Sequence, residues 1–146
     1  MSLRNLVERF LSEKIPLTTA MGVRVVTIEP LTIEAPVQLN SNHLGTAFGG
    51  SINAVATLAG YGLLWLELRD DPSVHLVIAE SSIRFLRPVR ETIRAVCRRP
   101  RDAALATLKS ELAAKNRGRI RLRVRIEESD ATAAEFEGLF VAARTD

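Results

Sequence analysis

Between Asn40 and Gly50 the chain reads NSNHLGTAFGG, residue types suited to gripping a carbonyl while water attacks it. Gly49 and Gly50 open a long uncharged run, and the first N–H groups of a helix lack intrahelical partners and sit at the positive end of its dipole. Glycine lets a substrate approach those N–H groups closely, which makes them natural oxyanion donors. The plainer alternative is a tight loop-to-helix turn. Asn42 has the groups to hold a water or polarise a carbonyl, although an amide is no base; loop asparagines also cap turns. Asn40 is a second polar wall or a turn residue. His43 titrates in the range a general base needs, or is simply exposed.

A second group lies downstream. Glu80 is the one acid in the otherwise uncharged stretch Val74 to Ile83. A buried carboxylate there would be a stronger base, and Ser82 would be its hydrogen-bonding helper. The alternative is a strand glutamate facing solvent or paired with Arg84. Ser51 and Ser81 have no evident histidine partner, so nothing supports a Ser-His-Asp triad. Arg84, Arg87, Arg90, Arg98, Arg99 and Arg101 gather in sequence, and guanidinium groups suit phosphates by geometry.

These groups need elements to hold them. No Asp, Glu, Lys or Arg lies between Glu34 and Glu67, and a helix apolar on nearly all sides is normally buried. The run 48–68 therefore predicts a central helix, closed by Arg69, Asp70, Asp71 and Pro72. Ser51, Asn53, Thr57 and four glycines argue against a membrane span. Leu3, Leu6, Val7, Phe10 and Leu11 predict an amphipathic helix over 2–14, with Ser2 as N-cap. A third helix is expected at 101–115. Strands are expected at 22–29, 31–39, 74–87 and 90–98. On the third of these, Glu80, Ser82 and Arg84 share a face with Val74, Leu76 and Ile78. Arginines at 119, 121, 123 and 125 alternate with apolar residues, the pattern of a half-buried antiparallel strand with a solvated face. The last strand, 133–143, is expected to break at Gly138, at a bulge.

The chain of 146 residues suits one domain, 1–146, with no repeat or linker. Its single cysteine, Cys97, excludes an internal disulfide and a thiol metal cluster, so no metal is expected. A net charge of +3 raises the prior for an anionic partner, but aromatics at 5% are too few for a nucleic-acid footprint. The N-terminal MSLRNLVERFLSEKIP has no continuous apolar core of a signal peptide, and a cytoplasmic location is expected.

The motif Asn42-His43-Leu44-Gly45-Thr46-Ala47-Phe48-Gly49-Gly50 resembles the N-x-x-G-x-x-H-G-G signature of hotdog-fold acyl-CoA thioesterases, with Phe48 in place of the histidine. The run FGGS with its following helix, and Glu80-Ser81-Ser82-Ile83-Arg84-Phe85-Leu86-Arg87-Pro88, are more similar to the YiiD C-terminal type of that superfamily. The resemblance implies an α+β hotdog fold, an antiparallel sheet wrapped around a long central helix. It implies an acyl-CoA or acyl-carrier thioesterase, working as a homodimer or a dimer of dimers. No cofactor is implied beyond the coenzyme A of the substrate, whose phosphates Arg84 and Arg87 would meet, while Asn40, His43 and Phe48 line the substrate. Related thioesterases carry an acid nine residues after the first motif histidine. That place is Thr57, which can position water but cannot be a carboxylate base, or simply bonds back to its helix. A binding module without efficient catalysis and a hotdog hydratase or dehydratase stand as alternatives.

Overall fold

A computed structural model describes residues 1–145. Helix α1 (Leu3–Lys14) starts where the Ser2 side chain accepts a hydrogen bond from the N–H of Asn5. The short α2 (Leu17–Ala20) leads to β1 (Arg24–Ile28) and, after a turn at Glu29 and Pro30, to β2 (Leu31–Pro36). The second expected strand thus ends early, and a single 3-10 turn at Val37–Leu39 carries the chain into the glycine-rich loop. Helix α3 (Gly49–Leu68) follows, then β3 (Val74–Phe85), β4 (Thr92–Cys97), α4 (Asp102–Lys115), β5 (Arg117–Glu128) and β6 (Ala131–Arg144). Asn116 ends α4 in the left-handed conformation (φ 59°), its N–H bonded to the carbonyl of Leu112.

The six strands form one sheet in the order β1-β2-β4-β5-β6-β3, every pair antiparallel. It curls around α3, which touches β2 to β6 and buries Val55, Ala56, Ala59 and Leu64 completely or almost so. Burying Val55 and Leu64 in this way stabilises the fold by roughly 1.5–3 kcal/mol each. This is the hotdog arrangement, sheet as bun and α3 as filling. Helix α1 covers the other flank of α3, where the Phe10 and Trp65 rings stack at 4.7 Å. By length and composition α3 could cross a membrane, yet 56% of its most apolar window is buried against the protein's own sheet.

Two expectations about the strands are corrected. Strand β6 does not break at Gly138: it runs unbroken, and the missing side chain makes room for the rings of Phe136 and Phe140, both 2.9 Å from where a Cβ would stand. The bulge of β6 falls instead at Ala133, opposite Ile126 and Glu127 of β5, and a second irregularity lies in β3, between Ile78 and Glu80. Before it, Leu76 and Ile78 stand opposite Ala142 and Phe140 and face the helix. After it, Ile83 and Phe85 stand opposite Phe136 and Ala134. Directly opposed residues share a face, and one extra residue in a strand exchanges the faces beyond it. Glu80, Ser82 and Arg84 therefore lie on the outer surface of the sheet, not beside Leu76 and Ile78.

Candidate active site

The glycine-rich loop is held by its own asparagines. Asn40 is buried, 4% exposed, and its amide donates to the carbonyls of Met21 at 2.9 Å and Pro36 at 2.8 Å. It clamps the loop to the N-terminal strands and is not a wall of an open site. Asn42 closes the turn: its Oδ1 accepts from the N–H of Leu44 at 2.8 Å and of Thr46 at 3.2 Å, and its amide donates to Thr46 Oγ1 at 2.9 Å. Gly45 takes φ 79° inside this turn, a conformation glycine adopts without strain. The turn engages both the amide N–H that was to polarise a carbonyl and the oxygen that was to hold a water. His43 is exposed at its tip.

The loop delivers the chain to Phe48, the N-cap of α3, which offers no side-chain cap. The Phe48 N–H donates to the carbonyl of Asn40 at 2.7 Å, and the Phe48 carbonyl accepts from Ile52 at 3.0 Å. Between them the N–H groups of Gly49, Gly50 and Ser51 have no acceptor among the described residues. Two half-exposed rings frame them. A Cβ at Gly50 would stand 2.4 Å from Phe48 Cε2, and one at Gly49 would stand 3.4 Å from Phe85 Cζ. Phe48 and Phe85 are 56% and 53% exposed. The mouth thus combines unpaired donors at the positive end of a 20-residue helix with an apolar surround, which strengthens any electrostatic contact made there.

Behind the mouth, Gly49, Asn53, Thr57 and Tyr61 recur every fourth residue and are all half-buried, forming one stripe along α3. Thr57 Oγ1 donates to the carbonyl of Asn53 at 2.8 Å. It is bonded back to its helix, which limits its use for water. Asn53 is different: its Oδ1 is buried without a partner. A buried acceptor left unpaired costs free energy, so this atom is the one on the stripe that calls for a donor. Sequence reading gave Asn53 no role, although it is the only asparagine in α3 and lies one turn beyond Gly49. Deeper in, Tyr61 meets Phe140 edge to face at 5.5 Å, and burial pushes its hydroxyl up from the usual tyrosine range.

Glu80 does not join this group. Its side chain is 70% exposed on the outer face, 3.9 Å from Arg121 rather than paired with Arg84, and Ser82 is exposed beside it. The bulge in β3 separates both from the helix mouth by the thickness of the sheet. Arg84 is exposed on the same outer face, and Arg87 is exposed just beyond β3, its N–H bonded to the carbonyl of Ala133 at 3.2 Å. Among the described residues no group of three or more His, Cys, Asp or Glu is placed to hold a metal ion.

A sequence profile described as "Putative thioesterase (yiiD_Cterm)" matches residues 4–144. Among solved structures, the chain is similar to a protein of unknown function from Chlorobaculum tepidum, with TM-score 0.90 and 25% identity over 98% of this chain and 95% of that one. It is similar to a "putative thioesterase" from Shewanella oneidensis, with TM-score 0.85 and 27% identity over 97% of each chain. A Pseudomonas aeruginosa protein described as a "Probable Thioesterase" shares the fold, with TM-score 0.82 and 24% identity over 97% of this chain and 95% of that one. The chain belongs to the YiiD C-terminal thioesterase family, built on the hotdog fold.

Proposed function

We propose that this protein hydrolyses acyl thioesters of coenzyme A or of an acyl carrier, in the cytoplasm and as a homodimer. The observation that carries the reading is the trio of unpaired N–H groups at Gly49, Gly50 and Ser51, framed by the exposed rings of Phe48 and Phe85. Water adds to the thioester carbon, and the carbonyl electron pair moves onto an oxygen received by these donors. Collapse breaks the C–S bond and expels a thiolate, which takes up one proton of the attacking water, while the other is released to solvent, leaving a carboxylate. Each well-placed donor of this kind is worth roughly 2.7–4 kcal/mol in the transition state. Asn53 Oδ1, one turn further along the same stripe, accepts a hydrogen bond from the attacking water and orients it. An amide cannot take the proton, so the reaction runs on positioning and oxyanion stabilisation. Dimerisation through the unpaired long edge of β3 would enclose the open side of the stripe.

One observation favours a second reading, a thioester-binding module: the helix position that would carry an acid holds Thr57, bonded to Asn53. A thiol-release assay over acyl-CoAs of varied chain length separates the two. Turnover is expected, with kcat lowered on the order of tenfold by Asn53→Ala, the loss of one hydrogen-bonded positioning contact. Glu80→Gln is expected to leave it unchanged. Tight binding of acyl-CoA without any hydrolysis would establish the module instead.

A further inference from the structure

The two sets of arginines that are separate in sequence form one surface in space. A trough of about 1070 Å³ crosses the outer face of the sheet. It is lined by Arg84 of β3, by Arg98, Arg99 and Arg101 of the β4–α4 connection, and by the three outward arginines of β5 from Arg121 to Arg125. Glu135 and Glu137 of β6 lie between the β3 and β5 rows. Seven arginines and two glutamates line it, and three of the arginines have acidic partners at its margin: Arg99 with Glu67 and Asp102, Arg121 with Glu80, and Arg125 with Glu127. Arg84, Arg98, Arg101 and Arg123 make no ion pair with any described residue. Four unpaired arginines gathered on one face attract an anionic partner.

The chemistry of the lining narrows that partner. The one aromatic residue there, Phe136, is buried at 2% exposure, so no ring is offered for stacking a nucleobase. The trough spans β3, β6 and β5 at roughly 4.8 Å per strand and continues to the β4–α4 connection, a width that accepts a helix of about 10–12 Å diameter. Its Arg84 end lies across the edge strand from the mouth. Arg84 lines the trough, and the next residue, Phe85, points to the other face of the sheet and touches Gly49. A flexible arm starting in the trough would have to pass around the end of β3 to enter the N-terminus of α3.

We propose that this arginine trough docks an acidic helical face of a carrier protein, whose thioester arm enters the mouth of α3; the proposal rests on the thioester hydrolysis argued above and commits it to a protein carrier. Recognition of this kind is steered by charge and weakens with salt.

The test uses the full chain, with holo acyl carrier protein as the probe. Binding is measured by titration at low and high salt, for the wild type and for Arg101→Glu/Arg123→Glu. Hydrolysis of one acyl group is then compared on the carrier protein, on coenzyme A and on N-acetylcysteamine. The double charge reversal is expected to weaken carrier binding and raise the carrier KM by on the order of tenfold or more, leaving the N-acetylcysteamine thioester unaffected. Equal losses for the coenzyme A and carrier substrates would overturn the proposal in favour of a phosphate site. Unchanged binding and KM for every substrate would overturn it outright. If the wild type hydrolyses none of the three thioesters, the proposed reaction fails, and salt-sensitive binding of the carrier still decides the docking surface on its own.

Discussion

Gly60→Ala puts a methyl group into the contact that sets how closely α3 lies on the sheet. The new Cβ would stand 2.4 Å from Phe140 Cζ and 2.8 Å from Cε2. The ring has no ready retreat: Phe140 is fully buried, Tyr61 meets it edge to face, and the space at Gly138 is already filled by the rings of Phe136 and Phe140. Overpacking a core of this kind costs roughly 1–3 kcal/mol. Replacing glycine by alanine within a helix returns about 0.5–1 kcal/mol. The net expectation is destabilisation by about 1–2 kcal/mol, which at this chain length lowers Tm by roughly 3–6 °C. In urea the midpoint should fall with the slope m unchanged. Because the penalty resides in one contact, it should largely vanish in a Phe140→Leu background, a non-additivity that a double-mutant cycle measures. A Gly60→Ala protein as stable as the wild type, or one equally damaged in both backgrounds, would refute the claim that glycine is required by the Phe140 ring.

Two further outcomes follow from buried groups elsewhere. Asn40→Ala leaves the carbonyls of Met21 and Pro36 without their donor and should destabilise the protein by about 1–3 kcal/mol, read as a lower urea midpoint. Cys97 is fully buried, and burial pushes its thiol up to about 12, so alkylation of the native protein at pH 8 should proceed only as fast as the chain opens. The unfolded chain loses that proton above about pH 8.5 while the native thiol keeps it, so the contribution of Cys97 to stability is full below that pH and declines as pH rises towards 12. Cys97→Ala should flatten this alkaline limb of the Tm profile, and an unchanged limb would contradict the assignment.

The central helix and the β5 arginine strand were legible because each carries one unambiguous period: an uncharged run ending at Glu67, and a fault-free alternation from Arg119 to Ile126. The mouth was legible through Gly49 and Gly50, whose types limit what the backbone there can do. The assignment of Glu80 as a buried base failed because it assumed a period of two through the whole of β3, and a bulge carries no signature in residue type. Asn40 and Asn42 were correctly placed at the loop, yet whether an asparagine turns outward or secures its own backbone is decided by three-dimensional neighbours. Asn53 had a usable signal, an amide one turn into an apolar helix, but its buried, unpartnered oxygen emerges only from packing. The single trough formed by two distant arginine groups is likewise a property of sheet order, since β3, β6 and β5 are neighbours in space and not in sequence.

The bulge in β3 leaves one strand with two parity rules. Up to Ile78 the even-numbered positions belong to the interior, and from Ser81 to Phe85 the odd-numbered ones do. A scan of charged substitutions along β3 should therefore show its sensitive positions change from even to odd at Ala79. Removing Ala79 would make the ladder continuous while keeping Glu80 opposite Leu139 and Phe85 opposite Ala134, so the faces beyond it should not change; forcing Ala79 into the ladder instead would turn Glu80 and Ser82 inward and Phe85 away from Gly49. That one residue with no functional group stays out of the ladder thus determines which side chains of this strand serve the helix mouth and which serve the charged outer face.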